Sequence, residues 1–273
     1  MRGEEPYCNR KSQRDNALVV VDAGVTFNAV LQVDPVTGNR TVVSGCVGFD
    51  ITTGLCQVRG SGPSFRRPLA LAVEADGSLV VVDAGFTFNG VLRVDPVTGN
   101  RVVLSDRFVG TGPPFEFPLA LAVEANGILV VVNAGFTFNG VLRVDPATGD
   151  RVVLSGRFVG AGPLFLSPLA LAVEADGSLV AVDAGLKAVV RVNPVTGDRH
   201  IVSGCTHFDL GSPDCMNTIG SGPSFSLPAS IAIAPDGFLV VTDFGLAAVL
   251  LVDPQTGDRS ILSSRGGFPV ARP

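Results

Sequence analysis

The chain has 273 residues, 46% of them hydrophobic, and a formal net charge of −5. This composition permits a large apolar core, but no apolar run approaches the roughly 18 residues that a membrane-spanning helix needs. There is no dense cluster of Lys and Arg, which argues against nucleic acid as a partner.

The N-terminal residues 1–16 form a polar segment that could be a degenerate first strand, and they lack the apolar segment of a signal peptide. From Ala17 onward the chain repeats. The triplet Asp-Ala-Gly, or a close variant, recurs at spacings of 61, 50, 50 and 60 residues. The triplets begin at Asp22, Asp83, Asn133, Asp183 and Asp243. The spacing predicts one domain of five units, over residues 17–65, 66–116, 117–166, 167–226 and 227–273.

Each complete unit predicts four short strands, which in the second unit are Leu69–Val73, Leu79–Val82, Val91–Val94 and Arg101–Ser105. An Asp-Gly pair separates the first two strands, and an Asp-Pro-x-Thr-Gly segment separates the last two. Both are turn signals between apolar runs. Four antiparallel strands repeated every 40 to 50 residues are typical of the blades of a β-propeller. The sequence therefore predicts an all-β propeller, with a solenoid of stacked sheets as the alternative.

The segment PLALAVEADGSLVVVDAG…VLRVDP, Pro68–Pro96, resembles the NHL repeat, and GSGPSF before it resembles the linker that precedes such repeats. The resemblance extends over nearly the whole chain from Ala17. It implies a propeller related to gluconolactonase-like and streptogramin-lyase-like propellers. Such propellers include binding modules as well as enzymes, so the resemblance implies a fold without choosing an activity.

Closure of the ring is left open by the sequence. The first unit lacks a recognisable first strand, because the aligned residues Pro6–Asn16 are polar, so nineteen strands are predicted in total. The chain is then either a ring of five blades or part of a six-bladed ring.

Two units carry insertions, Ser44–Phe65 and Ser203–Phe225, and each insertion contains two cysteines ten residues apart. The pairs are Cys46 with Cys56 and Cys205 with Cys215. Their matching positions predict one disulfide in each insertion, closing a small surface loop, which would favour an extracytoplasmic or secreted protein. The alternative is free thiols in a cytoplasmic protein.

The acids that end the second strands permit two interpretations. They could hold a divalent cation in a metal-dependent lactonase- or lyase-like enzyme at the central channel. The favoured interpretation is a structural cap, in which each side chain accepts hydrogen bonds from backbone N–H groups. The candidate residues are Asp22, Asp83, Asn133, Asp183 and Asp243. We predict no catalytic residue and no cofactor beyond that possible cation.

A long loop follows the second strand in the first three units, and it places five phenylalanines on one face. They are Phe27, Phe86, Phe88, Phe136 and Phe138. They either pack over the neighbouring blade or form a contact patch for a protein or a small apolar ligand. We also expect Glu74, Glu124 and Glu174, next to the Asp-Gly and Asn-Gly turns, to be solvated. The predicted function is a non-enzymatic binding scaffold, with the metal-dependent enzyme as the alternative.

Overall fold

The computed structural model describes residues 17–24, 28–49, 52–53, 55–208 and 215–265. In these residues all regular structure is β-strand, and 21 strands form five antiparallel sheets. The sheets are the five blades of a β-propeller, which confirms the predicted fold. Within this part of the chain there is no helix long and apolar enough to cross a membrane.

The strands follow one another through the blades in chain order. Blade one contains β1 (Leu18–Ala23), β2 (Asn28–Val33), β3 (Arg40–Phe49) and β4 (Cys56–Arg59). Blade two contains β5 (Pro68–Val73), β6 (Leu79–Gly85), β7 (Phe88–Val94) and β8 (Arg101–Ser105). Blade three contains β9 (Pro118–Val123), β10 (Leu129–Ala134), β11 (Asn139–Val144) and β12 (Arg151–Ser155). Blade four contains β13 (Pro168–Val173), β14 (Leu179–Asp183), β15 (Ala188–Val192), β16 (Arg199–Phe208) and β17 (Cys215–Ile219). Blade five contains β18 (Pro228–Ile233), β19 (Leu239–Asp243), β20 (Ala248–Val252) and β21 (Arg259–Ser264).

The turns between strands form as their sequences predict. In blade two, Gly77 has a φ of 88°, a left-handed conformation that glycine adopts at little cost. The carboxylate of Asp76 accepts a hydrogen bond from the backbone N–H of Ser78 at 2.8 Å. The strand that follows, β6, is buried along its whole length, as its uninterrupted apolar sequence predicts.

The two insertions form more structure than the surface loops that we expected. Strand β3 continues through Cys46 and pairs with β4, and β16 continues through Cys205 and pairs with β17. These two extra strands raise the number from the predicted nineteen to 21. Both predicted disulfides are present and link each hairpin across its strands, with Cα–Cα distances of 5.7 and 5.6 Å.

A buried arginine joins each of blades two to five to the blade before it. In the joint between blades two and three, Arg151 donates to the Ser105 hydroxyl at 2.6 Å and to the Pro113 carbonyl at 2.7 Å. Its guanidinium carbon lies 5.3 Å from the centre of the Phe115 ring. The same arrangement recurs at the other three joints, centred on Arg101, Arg199 and Arg259. We call it the arginine joint.

Candidate functional site

The candidate site lies on one side of the propeller, which we call the upper face. It is the side where, in blade two, β6 ends, β7 begins and the chain enters β5. Asp83, at the end of β6, accepts hydrogen bonds from the backbone N–H groups of Arg66 and Arg67, each at 2.7 Å. This side chain therefore ties the end of one strand to the beginning of its neighbour.

Equivalent carboxylates do the same in blades four and five. Asp183 accepts from the N–H groups of Leu166 and Ser167 at 2.8 and 2.9 Å. Asp243 accepts from two N–H groups at the start of blade five in the same way. Burial raises the pKa of Asp183, and the backbone N–H groups act in the opposite direction. Burial likewise raises the pKa of Asp83. This geometry supports the structural cap.

Asn133 occupies the same position in blade three but forms only part of the cap. Its Oδ1 accepts from the N–H of Glu116 at 3.0 Å. Its Nδ2 is buried and has no hydrogen-bond partner. An amide nitrogen is a donor, so it cannot accept a second backbone N–H as an Asp oxygen does. The cap in blade three is therefore incomplete.

The strand-end acids are distributed around the ring. Asp22, in blade one, is exposed. In the part of the chain that the structure describes, no group of three or more His, Cys, Asp or Glu side chains is placed to hold a metal ion. The cap oxygens of Asp83, Asp183 and Asp243 already accept backbone hydrogen bonds.

The glutamates beside the hairpin turns are not solvated, contrary to our expectation. Glu124 is 7% exposed, and its carboxylate binds the Arg143 guanidinium at 2.5 Å. Glu74 pairs with Arg93 and Glu174 pairs with Arg191 in the same way. The expectation was wrong because the neighbouring third strand supplies an arginine that the hairpin sequence alone does not reveal.

The phenylalanines of the long loops divide into two groups. Phe88 and Phe138 pack against the apolar cores between blades. Phe86 and Phe136 are essentially fully exposed. Phe27 lies outside the described residues. The upper face thus presents Phe86 of blade two and Phe136 of blade three to solvent, and Phe117 and Phe244 are also exposed there.

A cavity of about 730 Å³ opens on the upper face around the loop of blade two. Phe86 and Phe117 line it together with the two exposed arginines Arg66 and Arg67. Gly85 lies beneath Arg66, where a Cβ atom would be 2.1 Å from the arginine Cβ. None of the sequence patterns described above predicted this cavity. Its signal in the sequence is the pair of residues between Phe65 and the proline that begins β5, since this pair differs among the four units that contain it.

Known structures share this architecture at low sequence identity. No protein-family model and no curated protein matches the sequence. The structure of a nidogen/laminin complex has a TM-score of 0.61 and 17% identity, over 90% of this chain and 76% of that one. A streptogramin B lyase has a TM-score of 0.58 and 12% identity, over 92% of this chain and 66% of that one. A gluconolactonase from Xanthomonas campestris has a TM-score of 0.56 and 16% identity, over 83% of this chain and 65% of that one.

These similarities confirm that the resemblance seen in the sequence extends to the propeller fold. This chain spans about two thirds of the length of the two similar enzymes. The similar structures include a protein complex as well as enzymes, so the fold alone leaves the function open.

Proposed function

We propose that this protein is a non-enzymatic propeller that binds a protein or a small apolar ligand through its upper face. The observation that carries the proposal is the exposure of Phe86 and Phe136, while Phe88 and Phe138 in the same loops are packed. Exposed aromatic side chains cost solubility and contribute strongly to interfaces, so their presence on adjacent blades favours a contact surface.

Two further observations support this proposal. One similar structure is a nidogen/laminin complex, in which the fold occurs in a protein assembly. The two disulfides favour an oxidising environment, so we propose that binding takes place outside the cytoplasm.

The proposal is tested by capturing partners on three immobilised proteins. They are the parent, a Phe86→Ser/Phe136→Ser variant, and a Phe108→Ser/Phe158→Ser control that removes two other exposed phenylalanines. Extracellular fluid from the source organism supplies the partners, and quantitative mass spectrometry measures what is retained. We expect the parent and the control to retain the same proteins or ligands, and the upper-face variant to lose them. Equal retention by all three, or none by any, would contradict the proposal.

The alternative is a divalent-metal-dependent lactonase- or lyase-like enzyme. Its support is the similarity to a gluconolactonase and a lyase, which is at the level of the fold. A second arm of the same test measures melting temperature after chelation and with Ca²⁺, Mg²⁺ or Zn²⁺ restored. A saturable rise with one ion would favour the enzyme.

A further inference from the structure

The repeat units of the chain differ in the two residues that directly precede the first strand of each blade. The second and third units, Pro68–Phe117 and Pro118–Ser167, differ at only ten of fifty positions. Two of those ten are adjacent residues between an unchanged phenylalanine and an unchanged proline. Across the four entries, these pairs are Arg66–Arg67, Glu116–Phe117, Leu166–Ser167 and Ser226–Leu227. The blades therefore share a framework but carry different chemistry at one place on the upper face.

In blade three, this pair closes the loop above it. The carboxylate of Glu116 accepts hydrogen bonds from both the hydroxyl and the backbone N–H of Thr137. Asn139, which begins β11, donates from its Nδ2 to the carbonyl of Leu166 at 3.4 Å. Thr137 and the amide nitrogen of Asn139 thus have hydrogen-bond partners within the protein.

In blade two, backbone pairing closes the loop at Gly85 and Phe88, but the entry pair is different. Arg66 replaces the glutamate, so Thr87 faces no equivalent acceptor from this position. Asn89, the counterpart of Asn139, lines the cavity, and its Oδ1 is buried without a hydrogen-bond partner. No ion pair in the described part of the chain involves Arg66 or Arg67. A buried acceptor without a donor is destabilising, so a turn of the Asn89 amide toward a ligand that supplies a donor is favourable.

The walls of this cavity define the ligand. The exposed guanidinium groups of Arg66 and Arg67 match a carboxylate, which arginine binds through paired N–H donors. The free Oδ1 of Asn89 requires an N–H or O–H donor. Phe86 and Phe117 offer aromatic surface to an apolar group. Asp83 is fully buried and accepts backbone N–H groups from both arginines, and its carboxylate attracts the Arg66 guanidinium electrostatically. Arg67 has no such interaction with Asp83 and is therefore the main candidate to bind the carboxylate of a ligand.

We propose that the cavity binds a carboxylate joined to an amide N–H and an apolar side chain. This is the chemistry of the C-terminal residue of a peptide and equally of an N-acyl amino acid. The proposal rests on the proposed function, because it assigns a ligand class to one part of the upper face. It differs from that function in depending on the arginines of blade two and not on Phe136.

The test uses four probes with the full chain. N-acetyl-phenylalanine carries all three groups, and its C-terminal amide lacks the carboxylate. The acid 3-phenylpropanoate lacks the amide N–H. The peptide Gly-Ser-Gly-Ser-Phe with a free C-terminus distinguishes a peptide source, because contacts beyond the last residue would make it bind more tightly than N-acetyl-phenylalanine. Calorimetry or NMR titration measures the dissociation constants. Similar affinities of the two would point to a free N-acyl amino acid.

Arg67→Ala is the decisive variant, and Arg107→Ala is its matched control. Arg67 contributes only its backbone N–H to the Asp83 cap, so the variant retains that cap. Arg107→Ala also removes one positive charge, from a loop in which the Arg107 guanidinium stacks on Phe108. We expect Arg67→Ala to raise the dissociation constant of N-acetyl-phenylalanine about tenfold or more, because one charged hydrogen-bonded contact is lost. Arg107→Ala should leave the affinity unchanged.

Removing the carboxylate from the probe should test the contact with Arg67, and removing the amide N–H should test the contact with Asn89. The amide-capped probe should bind to the parent at least as weakly as the free acid binds to Arg67→Ala, because it loses the contacts of both arginines. Asn89→Ala should weaken N-acetyl-phenylalanine and leave 3-phenylpropanoate unaffected. Equal binding of acid and amide, equal losses in Arg67→Ala and Arg107→Ala, or no binding of any probe would overturn the proposal.

Phe136→Ser separates this proposal from the proposed function. Phe136 belongs to the upper face but does not line the cavity. If the variant loses captured partners and still binds N-acetyl-phenylalanine, both proposals hold. If Arg67→Ala fails to weaken the probe while the upper-face variant still loses its partners, only the ligand assignment falls.

Discussion

The faces between interior blades differ sharply from the outward faces of the first and last blades, although their sequences are nearly the same. Leu129 and Val131 of blade three are fully buried in the core that they share with blade two. Their counterparts in the repeat, Leu18 and Val20 of blade one, are 56% and 39% exposed. The same Leu-Val-Val-Val sequence is thus a buried strand where a described blade packs against it and a half-exposed one where none of the described residues does.

The arginine joint shows the same contrast. Arg151 is 4% exposed and Ser105 is fully buried where blade three meets blade two. Arg40 of blade one and Ser263 of blade five, which hold the corresponding positions, are both exposed. Each blade therefore carries half of a joint on either side, and burial depends on the neighbour that supplies the other half.

The largest effect that we predict comes from breaking an interior joint. Arg151→Ala would leave the Ser105 hydroxyl and the carbonyls of Val109 and Pro113 without their donor, and it would remove the stacking on Phe115. We expect a loss of about 3 kcal/mol or more in the free energy of unfolding. Arg40→Ala should cost less than about 0.5 kcal/mol, as surface substitutions usually do. Urea denaturation followed by circular dichroism measures both, and equal losses would show that the contrast in burial has no energetic counterpart.

The next effect sharpens the contrast at the caps. Asp183→Asn should cost about 2 kcal/mol, because an amide cannot accept all three backbone N–H groups that the carboxylate binds. Asp22→Asn, at the exposed position in blade one, should be close to neutral.

Asn133→Asp should act in the opposite direction to Asp183→Asn. It would present a second acceptor toward the N–H of Phe117, the counterpart of Ser167. The gain should be at most about 1 kcal/mol, because burying the new charge offsets part of it. A loss of stability in Asn133→Asp would show that the asparagine suits its surroundings better than the repeat pattern indicates.

The sequence predicts the blades well because their determinants are local. Asp-Gly and Asp-Pro-x-Thr-Gly turns and strand-length apolar runs recur in each unit, and each signal lies within a few residues. The extra strands β4 and β17 were missed because their sequences are short and polar, as in Cys56–Arg59, and pair only with the extended strand beside them. The disulfides were predictable because the cysteine spacing repeats.

The candidate site was less predictable because it is assembled from separate blades. The cavity combines Asn28 of blade one, Arg67 of blade two and Phe117 at the entry to blade three. The loop phenylalanines next to the third strand are packed, since Phe88 begins β7 and Phe138 directly precedes β11. Phe86 and Phe136 lie two residues earlier in the same loops and are exposed. Sequence periodicity placed these residues on one face, but it could not show which of them pack.

The smallest predicted effect is a pH dependence of the free energy of unfolding, which tests the burial of the Asp183 carboxylate. Burial raises the pKa of Asp183 above its ordinary value of 3.8, so the folded protein binds this proton more tightly than the unfolded chain does. Between the pKa of Asp183 in the unfolded chain and its higher pKa in the folded protein, the stability that the group contributes increases as pH falls and is lost as pH rises. The difference in unfolding free energy between the parent and Asp183→Asn should therefore grow as the pH falls from 7 toward about 4.

Exposed turn carboxylates should show the opposite dependence. A backbone hydrogen bond from Ser221 lowers the pKa of Asp258, and one from Ala161 lowers that of Asp198. The stability that these groups contribute is present above 3.8 and is lost as pH falls below it. If the unfolding free energies of the parent and Asp183→Asn ran parallel from pH 7 to about 4, Asp183 would titrate as a solvated carboxylate, and its burial in the interior cap would have no consequence for stability.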